Sequence, residues 1–501
     1  MNDPLQPVLK RTWFRRLVAV VFGLMLLVLL ELGLRLSGIY GKVADDPYVG
    51  FSRIHPLFIR EGDNWRTAHN KLRFFPEEVF PVAKPAEELR LFVLGGSTVN
   101  GRPYQDPTSF CTWLELGLNA MQPDLKVRVV NCGGVSYASY RLTRVLEEVL
   151  RLDPDGVILC TGHNEFLEDR SYPEVKLAAS KRVVFGEKVL HRLHLFRAMR
   201  DVVARRQADH RFNMEEEVTA LLDYRGGLEV FERNDNWRQG VIDHFKFHVS
   251  FMHELCEDQG VPFCLVIPPS NLKDCPPFKS IWEISLSLAE QETIQGLLEK
   301  LETTRDAAER LRLLEGIRDE DKGNALTLYR LGRTRLELAR SIDDPERKNE
   351  MIREAYENFL EARNEDVCSL RIPRELEGWM RNWAKRNSVD FFDAAAWFMD
   401  HSPDGITGDE WLVDHVHPSI EGHQVIATNL MNWVEKTFRL PVVETSRNSV
   451  QATFDAHLES LPESYISDAE FRLNGLRAWA EGRVDGATIK ALDAKRSPTG
   501  E

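Results

Sequence analysis

Short apolar runs alternate with amphipathic, helix-like segments along two stretches of this chain. Five runs have the length and composition of buried β-strands, at residues 89–94, 127–130, 156–160, 262–267 and 389–392. Helical periodicity lies between them, at about residues 109–121, 139–152, 236–259 and 373–386, and a last helix is predicted after Pro418. Apolar strands separated by helices predict an α/β fold with a parallel sheet covered on both faces. Ligands of such sheets bind at the carboxyl ends of the strands.

Residues 17–34 form an apolar run in which Glu31 is the single charged residue. As a helix, this run would reach about 27 Å, enough to cross the hydrocarbon core of a bilayer. Four basic residues precede it, so the positive-inside rule places the start of the chain in the cytosol: Lys10, Arg11, Arg15 and Arg16. A cleaved signal peptide would need an A-x-A-like site, which the following sequence lacks, and a buried core helix would leave the basic flank unexplained. The pattern predicts a single-pass anchor in the cytoplasmic membrane, with the rest of the chain on its periplasmic or extracellular side.

Two insertions interrupt the alternation of strands and helices. Residues 168–235 are charged and mixed, and no element is assigned to them. Residues 285–366 are helix-forming, and their spacing echoes the two helices of a tetratricopeptide repeat at Leu328, Leu331, Gly332, Ala355, Phe359 and Ala362. The linker between these helices is too long for the consensus and no second copy follows, so an ordinary helical hairpin is an equal interpretation.

The chain is therefore predicted to have a discontinuous α/β domain with additions at both ends. The parts are a cytosolic basic N-terminus at 1–16, a transmembrane anchor at 17–36, a connecting segment at 37–88, the α/β domain at 89–284 and 367–437, the TPR-like insertion at 285–366, and a helical tail at 438–501.

Charge and cysteine content exclude some classes of function. Lys and Arg number 64 against 78 Asp and Glu, for a net charge of −14, and an acidic chain repels nucleic-acid backbones. The seven cysteines include no CxxC and no Cys/His spacing typical of a zinc site. Three lie in or beside the predicted strands as small buried side chains, namely Cys132, Cys160 and Cys264. Pairing among the other four stays open: Cys111, Cys256, Cys275 and Cys368.

Four short segments with polar side chains fall where the strand ends are expected to converge. They are Gly95–Thr98 (GGST), Asn131–Tyr137 (NCGGVSY), Gly162–Glu165 (GHNE) and Asp414–Ser419 (DHVHPS). A serine behind two glycines can project its hydroxyl above the sheet, and an asparagine amide can donate to an oxyanion. An Asp three residues before a His can fix the tautomer of an imidazole that acts as a base.

In this order, the four segments resemble the blocks of the SGNH/GDSL hydrolase family, over residues 89–170 and 239–436. The resemblance implies a flavodoxin-like three-layer α/β/α fold. It also implies that Ser97 is the nucleophile, His417 the general base and Asp414 its orienting partner. The oxyanion donors it implies are the Ser97 backbone N–H, the Asn164 amide and a backbone N–H of the second segment.

The sequence departs from the family pattern in two places. The first block reads GGS where the family commonly has GDS, so the usual aspartate is missing. The second block has one extra residue, so the N–H of Gly133, Gly134 or Tyr137 could be the oxyanion donor, and Gly134 is favoured. His415 competes for the role of base, but only His417 has Asp three residues before it and Pro after it.

Three further polar residues near these blocks are kept out of the predicted site. His163 and Glu165 are interpreted as pocket lining or surface, because no cluster of other ligands surrounds them in the sequence. Arg141 could contact an anionic substrate, but such an arginine more often pairs with a nearby acid.

These features predict a membrane-anchored esterase that hydrolyses O-acyl groups, chiefly acetyl, of an extracytoplasmic carbohydrate or lipid. The reaction would pass through a serine ester and would need no metal or organic cofactor. One alternative is an O-acetyltransferase acting on exported polysaccharide, with residues 285–366 as a docking surface. Another is a scaffold without catalysis that binds a protein partner through the same insertion, and the missing aspartate of block one keeps this alternative open.

Overall fold

The structure is a computed structural model of the whole chain. It describes residues 6–37, 46, 48–51, 54–170, 212–221, 227–283, 285–441 and 446–480. Most of the predicted insertion at 168–235 and the last residues of the predicted tail lie outside the described residues. The chain divides into two compact units, the first formed by residues 1–53 and 170–215 and the second by residues 54–169 and 216–501.

The first unit begins with a long helix, α1 (Gln6–Ser37), which covers the apolar run. Its described apolar side chains are about half exposed, among them Val20 at 59%, Phe22 at 56% and Leu29 at 55%. No helix within the described residues combines the length and the apolar character needed to cross a membrane. The unit also holds a parallel pair of short strands, β1 (Val49–Phe51) and β8 (Phe212–Met214).

The second unit is built on a five-stranded parallel sheet, which confirms the predicted α/β class. Its strands are β5 (Glu88–Gly95), β6 (Lys126–Gly133), β7 (Gly156–Cys160), β9 (Phe263–Ile267) and β10 (Asp390–Asp393). Their order across the sheet is β10-β9-β7-β5-β6, with all neighbours parallel. Counted in sequence, this is the 2-1-3-4-5 order of flavodoxin-like sheets, which places β5 next to the position where the chain changes direction across the sheet.

Helices cover both faces of this sheet. On one face, α3 (Phe110–Met121) and α12 (Ile420–Phe438) pack against alternate residues of β5, including Leu91 and Val93. On the other face lie α4 (Ser139–Val149), α5 (Asp235–Gln259) and α10 (Arg374–Asn387), with rings of α5 and α10 in contact near Phe263. The central strands are buried on both faces, which explains their continuous apolar sequence.

A small antiparallel sheet precedes the parallel one, within the predicted connecting segment. It consists of β2 (Phe58–Glu61), β3 (Asn64–Thr67) and β4 (Val79–Pro81). Two short helices lie at the ends of parallel strands, α2 (Ser97–Asn100) after β5 and α11 (Ala394–Asp400) after β10.

The insertion at 285–366 contains four successive helices, and each packs on the next. They are α6 (Leu288–Thr303), α7 (Ala307–Glu320), α8 (Ala325–Ala339) and α9 (Pro345–Glu365). Gly332 lets α8 approach α9, because a Cβ there would lie 2.8 Å from the Phe359 ring. The predicted hairpin therefore has a second helix pair in front of it, and its tetratricopeptide-like character stays a prediction.

The predicted C-terminal tail forms two helices, α13 (Ser446–Ser460) and α14 (Tyr465–Ala480). Phe454 of α13 is almost fully buried and packs on Trp113 of α3, with ring centroids 4.8 Å apart. All seven cysteines are free thiols, and six of them are buried.

Candidate active site

The hydroxyl of Ser97 stands at the carboxyl end of β5, in the middle of the sheet. β5 ends at Gly95, Gly96 caps α2, and Ser97 is the first residue of that helix. A Cβ on Gly95 would lie 2.2 Å from the Cys160 carbonyl oxygen, so a side chain there could not fit between the strand end and α2. The glycines of the GGST segment thus allow a tight strand-to-helix turn that carries the serine.

His417 and Asp414 form a hydrogen-bonded chain with this serine. His417 Nε2 lies 2.7 Å from Ser97 Oγ, and His417 Nδ1 lies 2.7 Å from Asp414 Oδ2. Asp414 Oδ1 also accepts the backbone N–H groups of Val416 and His417, both at 2.9 Å, which closes the turn between acid and base. Asp414 and His417 are both buried, with 9% and 7% of their surface exposed.

The charges and hydrogen bonds around Asp414 determine where the protons lie between Asp414, His417 and Ser97. Burial alone would raise the pKa of the Asp414 carboxyl, but the His417 imidazole and the hydrogen bonds hold that pKa well below its usual range. An ionised Asp414 accepts the Nδ1 proton of His417, which leaves His417 Nε2 as the acceptor for the Ser97 hydroxyl. The arrangement can therefore withdraw a proton from Ser97.

The Asn164 amide lies beside the same turn. Its Nδ2 donates to the Tyr137 carbonyl at 3.0 Å and occupies the space next to Gly96, where a Cβ would lie 2.2 Å from it. Within the described part of the chain the other N–H of this amide has no acceptor, so it is available to a ligand. Among the described residues, the Ser97 backbone N–H has no acceptor, so it is also available to an oxyanion.

The structure corrects the favoured oxyanion donor of the second segment. Gly134 N–H donates to the Gly95 carbonyl at 2.9 Å, Gly133 N–H to Asn131 Oδ1 at 2.9 Å, and Tyr137 N–H to the Gly134 carbonyl at 3.0 Å. The three N–H groups considered from the sequence therefore all have acceptors, one at the end of β5 and two within the second segment.

Ser136 is the better candidate in this loop. Its N–H has no acceptor in the part of the chain that the structure describes, and its φ of 66° lies in the left-handed region that favours glycine. The sequence holds a serine where this backbone conformation would suggest glycine, so no residue-type signal pointed to it.

His415 is directed away from the serine. Its Nε2 bonds the Pro276 carbonyl at 2.8 Å, its ring stacks on Phe278 at 3.8 Å, and burial lowers its pKa to about 3. His415 is thus a neutral packing residue rather than a second base.

His163 and Glu165 are buried structural residues. His163 Nδ1 accepts the Ile372 backbone N–H at 3.1 Å, and burial lowers its pKa to about 3. Glu165 is fully buried and accepts both the backbone N–H of Ser139, at 2.8 Å, and its hydroxyl, at 2.9 Å. The interpretation of Glu165 as a surface residue is therefore wrong, because its carboxylate caps the start of α4.

Arg141 pairs with an acid, as the sequence suggested. Its guanidinium makes two hydrogen bonds to Glu168, of 2.7 Å and 2.6 Å, and both side chains are buried. Together with Glu165, this pair ties the loop that carries Asn164 to the helix that follows the second segment. Sequence reasoning missed this link, because nothing in the local spacing indicates which acid reaches α4.

Residues of this unit that could take part in holding a metal ion lie on α5. His244 Nε2 and His248 Nε2 are 3.0 Å apart, and His248 Nδ1 lies 2.7 Å from Thr143 Oγ1. Both histidines are fully buried, and neutral imidazole is a common metal ligand.

No family model and no curated protein matches the sequence. Similar solved structures include a GDSL-like lipase from Bacteroides thetaiotaomicron, with 10% identity and a TM-score of 0.30, covering 72% of this chain and 93% of that one. A lipase/acylhydrolase from Enterococcus faecalis has 13% identity and a TM-score of 0.29, over 71% and 98% of the two chains. An acetyl xylan esterase has 11% identity and a TM-score of 0.32, over 69% and 99%. Likeness at these TM-scores assigns neither a fold nor an activity to this chain.

Proposed function

We propose that this chain is a serine esterase of the SGNH/GDSL type that hydrolyses O-acyl esters, chiefly acetyl esters. The observation that carries the proposal is the unbroken chain from Ser97 Oγ through His417 to Asp414, with both of its contacts at 2.7 Å. These residues come from segments 320 positions apart in sequence and meet at the carboxyl edge of a parallel sheet. Chance local hydrogen bonding does not account for that convergence.

The first half of the reaction makes an acyl-enzyme. His417 Nε2 accepts the hydroxyl proton while Ser97 Oγ forms a bond to the ester carbonyl carbon, and the carbonyl electrons move to its oxygen. The N–H groups of Ser97 and Ser136 and the free N–H of Asn164 stabilise that oxyanion. The intermediate then expels the alcohol, which takes the proton from His417, and leaves the acyl group on Ser97.

The second half of the reaction hydrolyses the acyl-enzyme and regenerates the free serine. Water gives a proton to His417 and attacks the acyl carbonyl, the same donors stabilise the second oxyanion, and Ser97 leaves with the proton from His417. In the transferase alternative, a sugar hydroxyl takes the place of water. Losing one oxyanion donor typically lowers kcat by about 10²–10³, so Asn164→Ala is expected to impair turnover strongly without unfolding the chain.

The missing aspartate of block one does not remove any of these groups. The Ser97 turn is formed by Gly95 and Gly96, and the base is oriented by Asp414. A scaffold that had lost catalysis would have no need of a buried, ionised acid beside an imidazole. This supports catalysis over the scaffold alternative.

We also propose that the esterase is anchored in the cytoplasmic membrane by the run at residues 17–34 and acts outside the cytosol. The support is the basic flank before the run and the exposure of apolar side chains along α1. The substrate would then be an acylated carbohydrate or lipid outside the cytosol. A reporter fused after Glu501 tests the orientation: phosphatase activity is expected, and fluorescence of a cytosol-dependent reporter would contradict it.

The insertion at 285–366 is proposed to bind a protein partner through a groove of about 700 Å³ lined by α6, α7 and α8. Leu298 supplies apolar surface there, and the buried Leu314 lies behind it. Arg330 on α8 and Arg340, the residue after its end, are exposed and have no acidic partner among the described residues. The α6 wall carries Glu299 and Glu302, so an acidic segment of the partner is expected to face α8.

This docking proposal is tested with two labelled peptides of equal length, one rich in glutamate and leucine and one rich in lysine and leucine. The glutamate peptide is expected to bind, and Arg330→Glu with Arg340→Glu to abolish binding. Arg353→Glu, an exposed change on α9, is the matched control. Equal binding of both peptides, or no effect of the paired change, would refute the docking site.

The esterase proposal is tested on the full chain in detergent with a fluorophosphonate probe, read by intact mass. The parent is expected to gain one probe molecule, and Ser97→Ala and His417→Ala to gain none. His415→Asn serves as the matched control and is expected to label like the parent. A folded parent that stays unlabelled would contradict the proposal, and turnover that accelerates with an acceptor sugar would favour the transferase.

A further inference from the structure

The C-terminal helix α14 contacts both chain segments that carry the proposed catalytic residues. We propose that α14 acts as a positioning element for catalysis, holding the segment after Ser97 and the turn of Asp414 and His417 in a fixed relation. This inference rests on the proposed esterase function. It assigns a role to part of the predicted tail at 438–501, for which the sequence analysis predicts no function.

The first contact is with the segment 101–108, which directly follows α2. Arg472 Nε donates to the Pro103 carbonyl at 2.6 Å, and the Tyr465 hydroxyl donates to the Tyr104 carbonyl at 2.5 Å. This segment is bonded to the nucleophile residue itself, because the N–H groups of Gly101 and Arg102 both donate to the Ser97 carbonyl at 3.1 Å. A shift of the segment would therefore be passed to the Ser97 turn.

The second contact is with the acid–base turn. Arg477 Nη2 donates to the Val413 carbonyl at 2.9 Å. Val413 is the residue before Asp414, and its own N–H donates to the His417 carbonyl at 2.9 Å, so it closes the turn that sets the acid and the base. Arg477 thus bonds the carbonyl of Val413, and the N–H of the same residue bonds the His417 carbonyl.

The helix before α14, α13, is anchored in the core of the parallel-sheet domain. Phe454 of α13 is 2% exposed within the core formed with α3 and α12, and Val450 beside it is 8% exposed. His457 Nε2 also lies 2.8 Å from the Pro107 carbonyl, at the far end of the segment 101–108. Ala469 of α14 is itself 1% exposed, so α14 is packed against the protein in addition to its hydrogen bonds to the two loops.

None of these side chains touches Ser97, His417 or Asp414 among the contacts described, so their action is indirect. Proton transfer from Ser97 depends on the 2.7 Å contact with His417, and such constellations tolerate displacements of only about 0.5 Å. Each of these donors bonds a backbone carbonyl of one of the two loops. Loss of such a bond is expected to lower kcat by about 3- to 10-fold, and loss of both arginines by about 10- to 100-fold.

The kinetic test uses the full chain and p-nitrophenyl acetate. Arg472→Met and Arg477→Met keep the aliphatic stem and remove the donor, and each is expected to lower kcat while KM stays within about twofold. Arg477→Lys keeps a cationic donor and is expected to restore part of the loss. Asn474→Ala is the matched control, because Asn474 is exposed on the same helix and bonds neither loop within the described residues. Parental kcat in the folded double arginine variant would overturn the positioning role.

A second readout does not depend on turnover. The proton between His417 Nδ1 and Asp414 should give a downfield proton resonance, identified by its loss in His417→Gln. In the double arginine variant this resonance is expected to shift or broaden, while Asn474→Ala leaves it in place. A parent that shows the resonance but never reacts with a fluorophosphonate would defeat the esterase proposal alone, whereas an unchanged resonance in the double variant would defeat the positioning proposal alone.

Discussion

Gly96 and Asn164 share one space at the end of the sheet: a Cβ on Gly96 would lie 2.2 Å from the Asn164 amide nitrogen. The absence of a side chain at Gly96 lets the amide sit directly beside the Ser97 turn. Gly96 thus has two roles: it allows the turn that carries Ser97, and it leaves the space that the Asn164 amide occupies as a candidate oxyanion donor.

Gly96→Ala is expected to lower kcat by about 10²-fold, because the new methyl group displaces the Asn164 amide. The measurement is hydrolysis of p-nitrophenyl acetate with thermal unfolding recorded alongside. The double variant Gly96→Ala, Asn164→Ala is the control, since both changes remove the same donor. A double variant that is slower by the product of the two single effects would show that the methyl group acts elsewhere.

Asp414→Asn is expected to lower kcat by about 10⁴-fold while the fold is retained. The amide oxygen can still accept the N–H groups of Val416 and His417, but the side chain no longer holds the Nδ1 proton of the imidazole in place. Fluorophosphonate labelling should slow to a similar degree. Asp409→Asn, outside the hydrogen-bonded chain, should label at the parental rate, and a mild effect of Asp414→Asn would mean that His417 is oriented by something else.

Stability is expected to fall as pH drops from about 6.5 toward 3. Burial lowers the pKa of His163, His415 and His423 to about 3, while each titrates near its ordinary value of 6.5 when unfolded. Between these values the unfolded chain binds more protons, so protonation favours unfolding. Each histidine therefore removes about 2 kcal/mol of stability at pH 5 relative to neutral pH.

His423→Phe isolates one of these contributions. Both ring nitrogens of His423 are buried without a hydrogen-bond partner among the described residues, and the ring stacks on Phe110. The variant should lose about 2 kcal/mol less than the parent between pH 7 and pH 5, measured by urea unfolding. Identical pH dependence in parent and variant would show that His423 is not a buried neutral group.

Ser136→Gly is expected to keep activity and to raise the free energy of unfolding by about 1 kcal/mol, because glycine adopts a φ of 66° without steric strain. The N–H proposed as an oxyanion donor is unaffected by this change. Ser136→Val should destabilise the loop and lower kcat, since a β-branched residue resists this conformation. Full activity in the valine variant would exclude Ser136 from the oxyanion site.

The strands of the central sheet could be read from the sequence because burial on both faces leaves a simple pattern. Each predicted run overlaps an observed strand, and the run at Gly156–Cys160 has the predicted bounds. The three strands between Phe58 and Pro81 were missed, because they have three or four residues each and one exposed face. Short antiparallel strands depend on cross-strand pairing, which a periodicity does not record.

The candidate site was predictable where residue type carries the chemistry. The side chains of Ser97, Asn164, Asp414 and His417 indicate their roles by their chemistry, and the structure brings these four side chains to one edge of the sheet. The oxyanion donor of the second segment was not predictable, because every residue of the loop has a backbone N–H. Which N–H is left without an acceptor depends on long-range bonds that only the folded chain has, such as Gly134 N–H to the Gly95 carbonyl and Val135 N–H to the Phe74 carbonyl.

The separation of Ser97 and His417 by 320 residues has a consequence for biosynthesis. Chains emerge from the ribosome in order at about 5–20 residues per second, so β5 and its serine precede their base by tens of seconds. Four insertion helices and four strands of the sheet must be made before Asp414 and His417 can reach the serine. A chain whose synthesis has not reached Asp414 and His417 therefore carries a serine without its base, so the proposed ester cleavage cannot begin before both residues have been made.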